Sequence, residues 1–347
     1  MAASNPDMSQ PGFIDIALVG AGTIGLSFAA LHLSAATERP ARVIIFDPRP
    51  DLKDYIEAKL PEYLSILVRS SGQGQKPTPG NPEALSLASL IETGRLHITS
   101  SLSEAVAQAA IVQEQGPERV EFKQQIWPEI ESLAPPDALF WSSTSGIPGS
   151  VQSQRMQDKS RLLIVHPFNP PHIMPLLEII AAPDVQPSQS PCLARTMEYW
   201  ASLGRKPVIL KEEITGFVAN RLAFALFREA AYLVEKGIAS AEDIDQVVQQ
   251  SLGPRWAVRG PFWSYHAGGG EERGLEGFLD KIGDTIQACW DDLGTLQLQG
   301  PEVLGKDSAS WQGRLCEQVE SQYGKLGSTD LRDRDEKLRS VLDITKP

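Results

Sequence analysis

The chain has 347 residues, 41% hydrophobic and 22% charged, which is the balance of a globular protein, and its length suggests about two domains. A net charge of -12 argues against nucleic acid or an anionic membrane as the main partner, because both recruit basic surfaces. Cys192, Cys289 and Cys316 are too scattered for a disulfide framework or a zinc cluster, no run of about 18 apolar residues is available to span a bilayer, and the N-terminus lacks signal or transit features. The expected location is the cytoplasm, and no metal is expected.

The first element is "FIDIALVG", an apolar run that reads as a buried parallel strand. It leads into "GAGTIGLSFAALHLSAA", whose small and apolar residues suit a helix packed on a sheet. "ARVIIFD" follows as a second apolar strand, so the crossover makes the two strands parallel. From Pro50 to about Ile98 a helical pattern is interrupted by the loop-like "SSGQGQKPTPGNP". "LHITSS", "SLSEAVAQA" and "AAIVQEQ" repeat the strand, helix, strand alternation, with Ser103 as the expected N-cap. "ALFWSSTSG" and "RLLIVHPFN" supply two more strands, and this alternation predicts a doubly wound α/β sheet over residues 1–211.

After Lys211 the pattern becomes helical to the end of the chain. In "TGFVANRLAFALFREAAYLVEKGI", Phe217, Leu222, Phe224, Ala225 and Leu226 recur at three- and four-residue spacings, so much of this helix is expected to be buried. "SAEDIDQVVQQSL" opens with a serine cap and early acids that suit a helix N-terminus. An all-α domain is therefore expected over residues 212–347.

Gly20, Gly22 and Gly25 form G-x-G-x-x-G between the first strand and its helix. Glycines there allow a tight turn, close approach of a pyrophosphate to backbone N–H groups and close helix packing, with the anion at the helix N-terminus. Taken alone, the pattern also fits a structural turn. Asp47 ends the second strand about 20 residues on, where an acid accepts hydrogen bonds from an adenosine ribose. Together they predict a Rossmann-type dinucleotide site that prefers NAD to NADP, with nearby Arg49 leaving the strictness of that preference open.

Removing hydride from an alcohol carbon requires a base for the hydroxyl proton, and histidine titrates near neutral pH. Of the five histidines, His32 falls in the first helix and His97 in a strand, which suits structural roles. His166 lies at the C-terminal end of a sheet strand, where ligands of such folds collect. It sits in "HPFNPPHIMPLLEII", an apolar stretch whose histidine, asparagine and glutamate would be costly to bury without a use.

That stretch, followed by "GFVANR" and accompanied by "GAGTIG", "VQEQGPERVEFK", "SSTSG" and "GPRWAVRGPF", resembles the 3-hydroxyacyl-CoA dehydrogenase superfamily over residues 14–270. The H-P-x-N-P-P form with P-L-x-E is most similar to its lambda-crystallin branch, which includes the L-gulonate 3-dehydrogenases. The resemblance implies that His166 is the general base and that Glu178 orients its ring and stabilises the imidazolium. It implies that Ser145 and Asn220 hydrogen-bond the substrate oxygen, that Asn169 lines the nicotinamide pocket, and that Glu118 and Lys123 contact the ribose side of NAD. It also implies a homodimer, to which the long apolar helix would contribute.

Arg255, in "GPRWAVRGPF", is the candidate for a substrate carboxylate, because a guanidinium gives a paired, charge-assisted contact. The gulonate-type resemblance implies NAD-dependent oxidation of a small L-3-hydroxy acid. The stretch "GPFWSYHAGGGEERGLEGFLDKIG" is more similar to L-carnitine dehydrogenases, and Trp256, Phe262, Trp263 and Tyr265 could face a quaternary ammonium. Two alternatives stay open: a hydroxyacyl-CoA substrate, and a non-catalytic crystallin-like protein. The intact Ser145, His166, Glu178 and Asn220 set speaks against the second.

Overall fold

The computed structural model describes residues 12–70 apart from 36 and 38, then 85–182, 190–298 and 310–345. The chain divides into two compact units, residues 1–220 and 221–347.

The first unit holds a sheet of β1 (Ile14–Val19), β2 (Ala41–Phe46), β3 (Leu96–Thr99), β4 (Ile111–Glu114), β5 (Leu139–Ser142), β6 (Leu162–Pro167), β7 (Leu176–Ile180) and β8 (Lys206–Ile209). Their spatial order is β3-β2-β1-β4-β5-β6-β7-β8. β1 to β6 are mutually parallel, as the alternation predicts. β7 departs from this and runs antiparallel to β6, with β8 parallel to β7. The physical reason is the short connection, residues 168–175, since a parallel crossover needs a dozen residues or more.

Helices cover both faces: α1 (Thr23–Ser34), α2 (Leu52–Ser70), α3 (Leu87–Glu92), α4 (Leu102–Val106), α5 (Val120–Leu133), α6 (Gly149–Gln152) and α7 (Pro191–Ser202). The alternation of β1 shows why two layers form. Ile14, Ile16 and Leu18 enter one core with Phe28, Leu60 and Trp200, while Ala17 and Val19 enter the opposite core with Ile126 and Trp127. Each large apolar side chain buried in this way contributes about 1.5–3 kcal/mol.

α1 is buried along most of its length, so its polar residues need partners. His32 Nδ1 lies 2.7 Å from the Tyr199 hydroxyl and its Nε2 lies 3.0 Å from Gln113 Oε1. Burial drives its pKa down to about 4, so the ring is a neutral core group. His97 pairs with Glu104 at 3.0 Å. The α4 cap differs from the expected one: Ser101 Oγ accepts from the Glu104 N–H, while Ser103 lies inside the helix. Either serine satisfies the sequence rule, and the earlier one is in register with the first turn. Of the expected loop at residues 70–82, only Ser70, the last residue of α2, is among the described residues.

α8 (Phe217–Glu235) starts in the first unit and continues into the second, which holds α9 (Ala241–Val247), α10 (Gly253–Val258), α11 (Pro261–Gly268), α12 (Gly274–Asp292), α13 (Trp311–Tyr323) and α14 (Ser328–Ile344). Ser240 caps α9 in a reciprocal capping box with Asp243. Arg314 of α13 pairs with Glu235 of α8, and Gln318 accepts from the Ala241 N–H. The expected burial of α8 is not met: residues 221–228 are exposed, Leu222 at 64% and Phe224 at 61%, although Phe217 is fully buried. Among the described residues, this apolar pattern is left as exposed surface. Among the described residues, no helix is long and apolar enough to cross a membrane.

Candidate active site

The C-terminal ends of β1, β2, β4, β5 and β6 carry Gly20, Asp47, Gln115, Ser143 and Phe168 respectively as the residues next to or just past the strands, so the polar motifs gather at one edge of the sheet. The strand order turns back between β1 and β4, the place where doubly wound sheets open a crevice.

At this crevice the three glycines do different things. Gly20 has φ +112°, and an added Cβ would lie 3.0 Å from the Gln115 carbonyl oxygen. A Cβ on Gly25 would lie 2.0 Å from the Gly20 carbonyl oxygen, so only glycine lets α1 sit this close to the turn. A Cβ on Gly22 would meet nothing within 4 Å, which leaves the backbone open to a ligand. No side chain caps α1, and its first turn holds no acid, so the helix start can receive a pyrophosphate. Asp47 Oδ2 accepts from the Ala21 N–H at 2.9 Å and Oδ1 from the Arg49 N–H at 3.0 Å, which fixes the carboxylate beside the glycine turn. These features fit NAD.

Next along the edge is a charge network that the sequence only half revealed. Glu118 Oε1 accepts from Thr144 Oγ1 at 2.5 Å and from the N–H groups of Ser145 and Gly146 at 2.9 and 3.1 Å. Lys123 is 1% exposed, and its ammonium donates to both oxygens of Glu114 at 2.7 Å while standing 4.0 Å from Glu118. Burial pushes the Glu114 carboxyl up, against the opposing pull of Lys123, the Gly116 N–H and the Ser142 hydroxyl. Glu114, Gln113 and Thr144 were absent from the sequence-based site. The signal available for the first two was polarity inside "IVQE", a strand buried along its whole length.

The catalytic candidates meet at β6 and β7. The antiparallel register places His166 directly opposite Glu178, and His166 Nδ1 lies 2.8 Å from Glu178 Oε2. Both residues are buried. Glu178 Oε1 accepts from the N–H groups of Val218 and Ala219, at 3.0 and 2.9 Å, at the start of α8. Burial is the largest single influence on Glu178 and raises its pKa. The His166 hydrogen bond, the Ala219 amide, the His166 charge and the Val218 amide together outweigh it and hold the carboxyl below its ordinary range. Glu178 is therefore a carboxylate at neutral pH. With Oε2 accepting, Nδ1 carries the hydrogen, so in the neutral ring Nε2 is the nitrogen with the free lone pair.

The chain enters α8 through Gly216 and Phe217, both left-handed at φ +76° and +53°, and a phenylalanine in that region costs on the order of 1–3 kcal/mol. That turn brings Asn220 to the edge of the site, where its Nδ2 donates to the Ser145 carbonyl oxygen at 3.0 Å. Hydrogen bonds and short chain links thus connect Glu118, Ser145, Asn220, Glu178 and His166. Asn169 is exposed just beyond His166. Arg255 belongs to the second unit, exposed on α10. No metal-binding group of His, Cys, Asp or Glu exists among the described residues.

The model for the NAD-binding domain of 3-hydroxyacyl-CoA dehydrogenase matches residues 15–213, and that for its C-terminal domain matches residues 216–289. The chain is 36% identical over 282 residues to a 3-hydroxyacyl-CoA dehydrogenase of Gibberella moniliformis, covering 80% of each. It is 32% identical over 335 residues to an L-carnitine dehydrogenase of Streptomyces griseus, covering 95% of this chain and 89% of that one. A crystal structure of 5-formyl-3-hydroxy-2-methylpyridine 4-carboxylic acid 5-dehydrogenase, an NAD+-dependent dismutase, superposes with a TM-score of 0.73 at 26% identity, covering 96% of this chain and 98% of the other. The chain belongs to the 3-hydroxyacyl-CoA dehydrogenase family and is an NAD-dependent oxidoreductase acting on CH–OH groups.

Proposed function

We propose that this enzyme oxidises the 3-hydroxyl of a small L-3-hydroxy acid bearing a quaternary ammonium, as L-carnitine does, to the 3-oxo acid. The observation that carries the chemistry is the buried His166–Glu178 pair, set face to face by the register of β6 and β7. The relatives named L-carnitine dehydrogenase support this substrate over the gulonate type.

In this reading His166 Nε2 takes the hydroxyl proton as the C3–H bond breaks and the carbonyl forms. When bound, NAD supplies the hydride acceptor at its nicotinamide ring. Glu178 keeps its negative charge, holds the imidazole in the productive tautomer and stabilises the imidazolium. The Ser145 hydroxyl and the Asn220 amide donate to the substrate oxygen, and the second amide hydrogen, donated to the Ser145 backbone carbonyl, ties Asn220 to Ser145. Asn169 lines the nicotinamide side. Glu118 serves the ribose side, with Lys123 held behind it by Glu114.

The helical domain expected over residues 212–347 supplies substrate recognition and dimerisation in this proposal. Arg255 binds the carboxylate. The faces of Trp256, Phe262, Trp263 and Tyr265 suit the quaternary ammonium, and the Arg259 guanidinium, 5.5 Å from the Trp263 ring centroid, is a precedent for a cation at one of them. A second copy of the chain covers Leu222, Phe224 and Phe227, because two turns of apolar helix here are exposed all round among the described residues. A solution mass equal to one chain refutes the dimer.

The reading is tested by NADH formation from L-carnitine, L-gulonate, L-3-hydroxybutyrate and the CoA ester of the last. Turnover of L-carnitine above the others is expected. Oxidation of the CoA ester alone would overturn the free-acid reading and favour the activity for which the Gibberella relative is named.

A further inference from the structure

The two motifs that carry His166 and Asn220, "HPFNPP" and "GFVANR", each contain a phenylalanine that the chemistry above leaves unused, Phe168 and Phe217. Both rings pack on the His166 imidazole. The Phe217 centroid lies 5.1 Å away at an interplanar angle of 51°, and the Phe168 centroid 5.3 Å away at 59°. Both centroid separations lie in the range of roughly 4.5–7 Å found for packed aromatic pairs. Phe217 is fully buried, and Phe168 is half-buried.

Phe217 is also the one non-glycine residue with positive φ among the described residues. A bulky side chain seldom adopts that conformation unless its surroundings hold it there. Here the left-handed turn aims the Val218 and Ala219 N–H groups at Glu178 Oε1, while the side chain lies against His166. One residue therefore sets both halves of the pair, the ring of the base through its side chain and the carboxylate through its backbone.

We propose that Phe217, assisted by Phe168, is a positioning residue for the catalytic base, fixing the plane of the His166 imidazole along the Glu178 hydrogen bond and keeping water from that bond. The inference rests on His166 being the base. A hydrogen bond weakens steeply once its angle falls below about 120°, so an imidazole held at Nδ1 alone would lose the bond whenever it tilted. With the plane fixed, Nε2 always faces the same point. Ser145 and Asn220 hold the substrate oxygen at that point.

The competing role is simple packing, because Phe217 also forms a small cluster with Ile164 and Ile180. Phe217→Leu and Ile180→Val separate the two roles, since only the first alters the surface against His166. A substrate-free readout is the Nδ1 proton resonance in histidine-labelled protein, assigned by its loss in His166→Gln. In Phe217→Leu that resonance is expected to be lost to exchange with water, and kcat to fall about 10- to 100-fold with NAD affinity unchanged. Ile180→Val should lower Tm while keeping both the resonance and kcat.

A Phe217→Leu protein that keeps the resonance and the kcat of Ile180→Val overturns the proposal. If Phe217→Leu does not fold, Phe168→Leu takes its place with the same expected loss, and an unchanged resonance there overturns the proposal equally. The resonance needs no substrate, so a wrong substrate assignment is distinguishable from a wrong positioning role.

Discussion

Replacing Glu178 by glutamine would invert the tautomer of His166 while leaving the fold in place. Glu178 Oε1 faces two backbone N–H donors at 3.0 and 2.9 Å, so the glutamine amide must turn its oxygen to them and its NH2 group to His166. Nδ1 then becomes the acceptor and the hydrogen moves to Nε2, the nitrogen that receives the substrate proton in the proposed reaction. A comparable change in a carboxylate-held catalytic histidine costs about 10⁴-fold. For Glu178→Gln we expect roughly a 10³- to 10⁴-fold fall in kcat, or about 4–5.5 kcal/mol in the barrier. Exchanging charge-assisted for neutral hydrogen bonds should lower stability by only about 1–2 kcal/mol. The assay pairs NADH formation with NAD affinity from fluorescence titration. A Glu178→Gln enzyme within tenfold of wild-type kcat, with normal NAD binding, refutes the tautomer argument.

The glycine turn gives a paired expectation. Gly22→Ala, whose Cβ meets nothing in the protein, should keep Tm but weaken NAD binding at least about tenfold, while Gly25→Ala, which collides with the Gly20 carbonyl, should lower both; normal NAD affinity in Gly22→Ala would remove that glycine from the cofactor site. Lys123→Met leaves the Glu114 carboxylate buried and unpaired, so a loss of about 3–5 kcal/mol in urea unfolding is expected, and an unchanged midpoint would contradict a structural ion pair. His32 is pushed down to about 4 in the fold, against about 6.5 for an ordinary histidine, so the unfolded chain binds more protons between the two and stability falls as pH drops through that window. This contributes about 2 kcal/mol between pH 7 and pH 5, and His32→Phe should flatten the pH dependence of unfolding by that amount; an identical slope would show that His32 does not stay neutral in the fold.

What was legible in the sequence was local. The glycine turn and Asp47 can be read because a strand, a tight turn and a second strand lie within about 30 residues, and their spacing is fixed by that unit. His166 stands out because a polar side chain in an apolar strand needs a reason. The partners were less legible where they depend on register. That Glu178 faces His166 follows from the antiparallel turn of β7, which periodicity alone does not predict. Glu114 and Lys123 sit on a strand and the following helix, and their pairing depends on how α5 packs against β4. The Ser101 cap was missed because Ser101 and Ser103 carry the same signal. For α8 the apolar pattern was correct, but periodicity states only that a face seeks cover; it does not say whether the cover comes from the same chain.

The most direct test of the account compares wild-type and His166→Gln proteins for NAD binding and for NADH formation from L-carnitine. The account predicts that the wild type turns over, that both bind NAD alike, and that His166→Gln loses about 10²- to 10⁴-fold in kcat. Equal turnover by the two proteins would contradict it, because the proton would then leave the hydroxyl by a route that His166 does not provide.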